Sequence, residues 1–408
     1  MSLRHVFTPG RLGRIEIPNR IVMAPLTRSR ADDATDIPAS FASTYYAQRA
    51  EAGLIITEAT HVSRMAKGYI QTPGIYTDAQ VRAWAAVTEA VHSAGGRIIM
   101  QIWHVGRVSH PDLLPGNASP VAPSPIAAAN SMAFTASGPK PCAEPVALDL
   151  AGIKETIGDF ARAARNAKLA GFDGVEIHGA NGFLIDQFLR DRSNQRTDDY
   201  GGSLRNRVRF AAEVAESFVN VWGSGRVGIR LSPFASYNDM RDSNPEETVA
   251  TLIDELNPLG FAYLHMVEDF PFVNEALEDG AHPIAERRAA FDRLRTRWNA
   301  GYIANGQFTP ESAESHIASG KATAVSFGRP FIANPDFVNR VRNNAPVISP
   351  DPAVFYGGGE KGYIDFPAHA APLNESTTID RGHHSESEGI AFPLFDRHDG
   401  GAEVKLSD

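Results

Sequence analysis

Short apolar segments alternate along the chain with longer segments in which apolar residues recur every three or four positions. Eight of the short segments are too continuous in apolar residues to be half-exposed antiparallel strands. They are RIVMAP (20–25), LIITEA (54–59), RIIMQI (97–102), DGVEIH (173–178), RVGIRL (226–231), AYLHMV (262–267), GYIAN (301–305) and ATAVSF (322–327). We therefore predict eight buried strands.

The segments between many of these strands have the period of amphipathic helices. In residues 149–171 the apolar positions fall near one face, and Gly171 ends the segment. Three further segments begin with a Ser, Asn or Thr suited to cap a helix, namely 203–222, 244–260 and 309–320. Eight strands that alternate with helices predict an α/β fold, a closed (β/α)8 TIM barrel.

Two regions depart from this alternation. Residues 103–148 are rich in Pro, Ala and Ser, and we predict an elaborated loop after the third strand, either a lid or disordered. From about residue 368 the chain is polar and poor in apolar period. We therefore predict a barrel over residues 1–367 and a C-terminal tail over 368–408, which is flexible or docked on the barrel or on a neighbouring subunit.

Composition excludes several classes of protein. The 408 residues are 43% hydrophobic, with a net charge of −9 and a pI near 5.8, which argues against a nucleic-acid surface. The single cysteine, Cys142, rules out an internal disulfide framework and a cysteine-ligated zinc or iron–sulfur site. We find neither a signal-peptide core nor a run of about 18 apolar residues, and so expect a cytoplasmic protein without a membrane partner.

The candidate active site lies where the strands end, because barrels of this kind carry their active sites at the carboxyl ends of the strands. These positions contain few carboxylates, two arginines and several neutral hydrogen-bonding groups. A metal-dependent lyase would need two or more carboxylates or histidines there, and only Glu268 and His178 are present. The positions are Pro25, Leu26, Thr27, Ala59, Gln101, Trp103, His178, Asn181, Arg230, Glu268, Asn305, Gly306, Gly328 and Arg329.

The pattern of these residues favours flavin mononucleotide. Gly306 and Gly328 follow strands seven and eight, where such barrels commonly bind phosphate through bare backbone N–H groups. Arg329 adds a fork-shaped charge partner for the phosphate. Side chains that suit a flat, polar, electron-accepting ring are Thr27, Gln101 and Arg230.

Six motifs, in order, resemble the old yellow enzyme family of FMN-dependent ene-reductases from about residue 5 to 367. They are NRIVMAPLTRSRA, QIWHVGRVSHP, GFDGVEIHGANGFLIDQFL, GIRLSP, SFGRPFIANPD and FYGGGEKGYIDFP. Thr27 stands where another branch of the family carries Cys, which indicates the Thr-type subgroup. The resemblance implies a flavin oxidoreductase that uses NAD(P)H as reductant and an enone-type small molecule as substrate. We expect a monomer or homodimer.

The resemblance also implies roles for individual residues. Those that would hold the flavin ring are Pro25, Leu26, Thr27, Ala59, Gln101 and Arg230, and Thr27 would tune its redox potential. The phosphate would be held by Asn305, Gly306, Gly328 and Arg329. Tyr69, Trp103 and Tyr356 would line the substrate cavity, where NAD(P)H would stack on the flavin. The G-x-G-x-x-G pattern at 357–362 lacks a following helix, so we reject a dinucleotide-binding site there.

His178 and Asn181 match the family's pair that binds the carbonyl or nitro oxygen of the substrate. Two neutral donors aimed at a carbonyl oxygen stabilise the negative charge that develops when hydride reaches the β-carbon. A His/Asn pair without a nearby acidic residue or Cys is a poor metal site. We therefore predict an oxygen-binding role for this pair.

Phe183 departs from the family, which usually carries a proton-donating Tyr at this position. One hypothesis is that water, or the hydroxyl of Tyr69 or Tyr356, supplies the proton. A second is that the substrates are quinones, nitro compounds or nitrate esters, which need no such proton. A third is net isomerisation by reversible hydride transfer. We favour the first two together; a flavin-binding protein without turnover is a further alternative.

Overall fold

Eight parallel strands close into a barrel in the computed structural model, which describes residues 3–268 and 283–369. Each strand pairs with the next, and the last pairs with the first. The strands are β1 (Ile21–Met23), β2 (Leu54–Ile56), β3 (Ile98–Trp103), β4 (Gly174–Gly179), β5 (Val227–Leu231), β6 (Tyr263–Val267), β7 (Gly301–Asn305) and β8 (Ala324–Phe327). The predicted TIM barrel and all eight predicted strands are confirmed.

Helices surround the barrel. They are α1 (Ala42–Ala47), α2 (Asp78–Ser93), α3 (Leu150–Leu169), α4 (Leu184–Leu189), α5 (Leu204–Trp222), α6 (Pro245–Leu256), α7 (Ile284–Arg297), α8 (Pro310–Ala318), α9 (Pro330–Ala333) and α10 (Phe337–Arg342). The predicted caps Ser203, Asn244 and Thr309 each accept a hydrogen bond from a backbone N–H three residues later. Such caps satisfy donors that the first helical turn leaves free.

A short antiparallel hairpin closes the amino-terminal end of the barrel. Its strands, Gly10–Leu12 and Ile15–Ile17, place three buried side chains against the start of the barrel strands, including Ile99 and Ile303. Each strand of this hairpin has only three residues, which is too short a pattern to predict the hairpin from the sequence. The hairpin seals the end of the barrel opposite to the carboxyl ends of the strands.

The region after β3 contains regular structure, so the disordered alternative is wrong. Met132–Thr135 and Gly138–Pro141 form an antiparallel hairpin, while Val121–Ala122 pairs with Val146–Ala147. Buried residues of this region, including Cys142, pack in one cluster with two aromatic residues of the candidate site. The elaborated loop therefore forms one wall of that site.

Contacts with Arg28 and Arg30 hold the segment that follows α10 against the barrel. Arg28 Nε donates to the Phe355 carbonyl at 2.8 Å, and its Nη2 donates to the Gly362 carbonyl at 2.9 Å. Arg30 lies 4.7 Å from the centre of the Tyr363 ring, a cation–π distance. Residues 357–362 form turns, as expected for a glycine-rich segment that is not a dinucleotide-binding loop.

Several predictions concern residues outside these bounds. The C-terminal tail and most of the loop after β6 lie beyond the described residues, so the division at residue 367 stays a prediction. No helix within residues 3–268 and 283–369 is both long and apolar enough to cross a membrane.

We expect Leu12→Ala to destabilise the protein, because Leu12 is fully buried in the hairpin that closes the barrel. Removing a buried leucine side chain costs about 2–5 kcal/mol in the free energy of unfolding. The matched control is Leu169→Ala, since Leu169 is 75% exposed, and its effect should stay within about 0.5 kcal/mol. The measurement is the midpoint of urea unfolding, and equal midpoints for the two variants would contradict the role of the hairpin.

Candidate active site

The register of the barrel brings the predicted polar side chains into neighbouring positions. His178 on β4 pairs with Arg230 on β5, and Val267 on β6 pairs with Asn305 on β7. Glu268 does not join this group. Its carboxylate accepts hydrogen bonds from Arg295 and from the Tyr302 hydroxyl, each at 2.6 Å. The only acidic residue of the predicted ring is therefore occupied by an ion pair.

His178 is a neutral hydrogen-bond donor. Its Nδ1 accepts the Ala180 N–H at 3.3 Å, which leaves the ring proton on Nε2. Burial, reinforced by the positive charge of Arg230, holds the pKa of His178 well below its usual range. The side chain thus presents an uncharged N–H at the mouth of the barrel.

Asn181 is held by its backbone. Its φ angle is +58°, a left-handed conformation that Asn tolerates better than most residues. The Asn181 N–H donates to Ser232 Oγ at 2.8 Å, and its carbonyl accepts from Asn238 Nδ2 at 2.9 Å. The amide Oδ1 is buried without a hydrogen-bond partner among the described residues. The fixed backbone thus holds an amide whose Oδ1 can accept a hydrogen bond from a ligand and whose Nδ2, the donor, makes no hydrogen bond within the described residues.

Aromatic rings form the wall beside this pair. Trp103 stacks between His178 and Tyr69, with ring centroids 5.9 Å away on each side. The edge-on Phe183 ring lies 4.7 Å from Trp103 and 5.0 Å from His178, and only 5% of Phe183 is exposed. Phe183 therefore contributes an apolar surface next to His178, where a tyrosine would place a hydroxyl.

The hydrogen bonds of Arg230 test whether the site fits FMN. Its Nη2 donates to Asn305 Oδ1 at 2.8 Å, whereas its Nε and Nη1 are buried and have no partner in the described part of the chain. Unsatisfied buried donors are costly, and a guanidinium more so. The flavin ring carries acceptor atoms that would satisfy both nitrogens, so Arg230 fits FMN.

The remaining predicted flavin residues surround the same end of the barrel. Gly328 approaches Leu26 closely, because an added Cβ would lie 3.2 Å from Leu26 Cδ2 and would require Leu26 to shift. Thr27 is half-buried, and Arg329 is exposed. Neither side chain hydrogen-bonds to a residue within 3–268 or 283–369, so both can contact a ligand. Pro25, Ala59 and Gly306 follow β1, β2 and β7, whereas Gln101 lies within β3 and donates to Glu176.

Tyr356 lies on the segment that Arg28 fastens to the barrel and is 40% exposed. His104, which we did not assign to the site, is buried, and its Nδ1 accepts the Gly106 N–H at 3.0 Å. Burial lowers the pKa of His104 to about 3, so it is a neutral structural residue. No group of three or more His, Cys, Asp or Glu suited to a metal occurs in the two described ranges.

Residues inside the barrel were missed by sequence reasoning. Glu176, His265 and Tyr263 are fully buried and hydrogen-bonded to one another below the site. A signal was present, because Glu176 interrupts the apolar strand DGVEIH and His265 interrupts AYLHMV. Charged residues are almost never fully buried unless paired, so these interruptions could have predicted an interior network.

Comparison with known proteins defines the family. The protein-family model described as the NADH:flavin oxidoreductase / NADH oxidase family matches residues 5–347 of this chain. The putative 12-oxophytodienoate reductase 2 of Oryza sativa subsp. japonica is 42% identical over 376 residues, or 91% of this chain and 96% of that protein. The structure of morphinone reductase superimposes with a TM-score of 0.84 at 43% identity, covering 92% of this chain and 100% of that one.

An old yellow enzyme homologue from Zymomonas mobilis superimposes with a TM-score of 0.83 at 40% identity, covering 89% of this chain and 99% of that chain. The chain belongs to the NADH:flavin oxidoreductase / NADH oxidase family, and the predicted resemblance to old yellow enzyme is confirmed. It is an FMN-dependent oxidoreductase with NAD(P)H as reductant.

We expect His178 to stay neutral, with its proton on Nε2, from pH 8 down to pH 5. An unperturbed histidine would titrate near pH 6.5 over this range, but burial disfavours the charged form. Two-bond ¹H–¹⁵N spectra of histidine-labelled protein, with His178→Asn to assign the signals, report both tautomer and charge. A His178 signal that titrates between pH 6 and 7 would contradict this expectation.

Proposed function

We propose that the protein reduces the activated C=C bond of α,β-unsaturated carbonyl compounds with electrons from NAD(P)H. The observation that carries the proposal is the pairing of neutral His178 with Arg230, whose two buried nitrogens have no described partner. His178 suits a substrate oxygen, and Arg230 suits the cofactor. Bound FMN would supply the two-electron carrier between NAD(P)H and substrate.

We propose that one end of the site binds the ring of FMN and the other end binds its phosphate. Thr27, Gln101 and Arg230 contact the ring, and Thr27, as in a Thr-type family member, tunes its redox potential; Pro25, Leu26 and Ala59 pack against it. Asn305, Gly306, Gly328 and Arg329 bind the phosphate. The support is the close approach of Gly328 to Leu26 and the exposed guanidinium of Arg329, which makes no hydrogen bond to the described residues.

His178 Nε2–H and the Asn181 amide would donate to the substrate oxygen. A neutral imidazole is suited to this role, because the charge that develops on the oxygen is then met by preorganised donors. The Trp103 and Tyr69 rings would form one wall of the cavity, and Tyr356 would lie at its rim. Relatives are named reductases of 12-oxophytodienoate and of morphinone, which supports a carbonyl-bearing substrate.

The proton would come from water or from a tyrosine other than residue 183. Tyr69 is better situated than Tyr356, because its ring lies 6.5 Å from that of Phe183 and stacks on Trp103. Burial raises the pKa of Tyr69 well above its usual range, so its hydroxyl keeps its proton at neutral pH.

Phe183 also supports a second substrate class. Quinones, nitro compounds and nitrate esters need no proton on carbon from a side chain, and the apolar Phe183 ring would not hinder them. An FMN-dependent isomerase on the same scaffold is the alternative reaction. It would consume no NAD(P)H, whereas a flavin-binding protein without turnover would neither consume NAD(P)H nor change the substrate.

The experiment is steady-state turnover of 2-cyclohexenone with NADPH and with NADH, with product analysis. We expect cyclohexanone in equal amount to the oxidised nicotinamide. Rearranged enone without nicotinamide oxidation would favour the isomerase. No change in either compound, with FMN bound, would favour the flavin-binding protein and contradict the proposal.

Asn181→Ala should lower kcat/KM for the enone by about 10²-fold, the effect of losing one donor to a developing oxyanion. Asn344→Ala is the matched control, because Asn344 also has a left-handed backbone (φ +51°) but lies past α10, away from the site. The control separates backbone strain from the loss of the amide. Equal kcat/KM values for the two variants would count against the oxygen-binding role.

Arg329→Ala should weaken FMN retention, since the exposed guanidinium is proposed to pair with the phosphate. Arg82→Ala is the control, because Arg82 is exposed on α2. The measurement is the flavin-to-protein absorbance ratio after gel filtration. Unchanged flavin content in Arg329→Ala would contradict the phosphate assignment, whereas riboflavin binding should be the same in both variants.

A further inference from the structure

A network of buried polar groups lies inside the barrel below the candidate flavin site. Glu176 on β4 is fully buried, and all of its hydrogen bonds come from other barrel strands. Its Oε1 accepts from Gln101 Nε2 at 2.7 Å. Its Oε2 accepts from the Tyr263 hydroxyl at 3.0 Å and from His265 Nδ1 at 2.8 Å. One carboxylate therefore joins β3, β4 and β6.

The network continues to Arg230. His265 Nε2 lies 2.8 Å from Ser326 Oγ, and Ser326 Oγ accepts a hydrogen bond from Asn305 Nδ2 at 2.9 Å. The Asn305 Oδ1 then accepts from Arg230 Nη2 at 2.8 Å. Glu176 is thus connected to Arg230 by four consecutive hydrogen bonds through three intervening side chains.

The direction of each hydrogen bond follows from the charge of Glu176. A carboxylate only accepts, so His265 donates from Nδ1 and its Nε2 must accept the proton of Ser326. Ser326 Oγ is then free to accept from Asn305, whose amide oxygen faces Arg230. The low dielectric lowers the pKa of His265, consistent with a neutral ring. With Glu176 ionised, the chain of bonds is consistent when Ser326 donates to His265 at 2.8 Å, and a longer contact of 3.5 Å joins Ser326 Oγ to the Ala304 carbonyl.

Two opposite charges are therefore buried in the barrel without touching. Glu176 carries the negative charge, and Arg230, at the mouth, carries the positive one. Their interaction favours the charged form of each. Charges in a protein interior interact over longer distances than in water, because little solvent screens them. Glu176 thus reduces the positive potential that Arg230 presents to a ligand.

We propose that Glu176 is a positioning residue that orients Gln101 and Arg230 toward FMN and sets the redox potential of the flavin through the charge of Arg230. The inference rests on the proposed FMN site. Neutralising Glu176 would leave the charge of Arg230 uncompensated. Arg230 would then stabilise a negatively charged, reduced flavin more strongly than the neutral oxidised form.

The test is Glu176→Gln in the FMN-loaded protein. We expect the ratio of the dissociation constants of oxidised and reduced FMN to rise about tenfold, which is a rise of about 30 mV in the two-electron midpoint potential. Tyr263→Phe is the matched control, because it removes a hydrogen bond to the same carboxylate but no charge, and its ratio should stay within twofold of the wild type. A purely structural role for Glu176 would lower stability in both variants without changing the ratio.

If Glu176→Gln does not fold, Ser326→Ala tests the positioning role instead. It interrupts the connection between His265 and Asn305 but leaves both charges in place. We expect weaker binding of oxidised FMN, because Asn305 and Arg230 lose their orientation, with an unchanged ratio. Wild-type affinity in Ser326→Ala would overturn the positioning role, and an unchanged ratio in folded Glu176→Gln would overturn the effect on potential.

Arg230→Ala separates this proposal from the proposed function. If Arg230→Ala binds FMN as tightly as the wild type, the assignment of the flavin site itself is wrong. If Arg230→Ala loses FMN while Glu176→Gln and Ser326→Ala behave as the wild type, the site stands and the role of Glu176 is wrong. Absorbance spectra of FMN and quenching of flavin fluorescence give these affinities without any turnover.

Discussion

A buried guanidinium that is satisfied on one side only governs the chemistry of this barrel. Arg230 donates to Asn305, and its other two nitrogens point to no described protein group. Each unsatisfied buried donor costs about 1–3 kcal/mol. A flat, electron-accepting ring such as that of FMN carries acceptor atoms that would satisfy both nitrogens.

The barrel can hold such a group because strand pairing fixes the neighbours of Arg230. Parallel pairing sets His178 on one side and His265 on the other. His178 lies near the mouth and donates from a neutral ring, whereas His265 is turned to the interior and connects to Glu176. The two histidines that flank Arg230 thus differ in their contacts, since His178 Nδ1 accepts the Ala180 N–H whereas His265 Nδ1 donates to Glu176.

Much of this arrangement could be predicted from the sequence. The eight strands are continuous apolar segments, and the capped helices follow the 3.6-residue period, so local patterns determine both. The positions just past the strands follow from the barrel geometry, which is why His178 and Arg230 could be selected before any distance was known. The N-terminal hairpin and the hairpin over Met132–Thr135 could not, because short strands carry too little pattern.

The interior network escaped prediction for a different reason. Whether Glu176 is paired depends on side chains from β3 and β6 that meet only when the barrel closes. Glu268 was selected wrongly. Because it follows a strand end, we expected it near the site, but its carboxylate accepts hydrogen bonds from Arg295 and Tyr302. A position at a strand end identifies candidate site residues, and the direction of each side chain determines which of them reach the site.

The apolar Phe183 ring lies edge-on to His178, with ring centroids 5.0 Å apart, so residue 183 offers no hydroxyl beside His178. The most direct measurement is a single turnover without oxygen, in which protein reduced with NADPH is mixed with 2-cyclohexenone and the flavin absorbance is followed. We expect the flavin to reoxidise as cyclohexanone forms, with the proton supplied by water or another hydroxyl. An enone that binds while the flavin stays reduced would contradict ene reduction by this site.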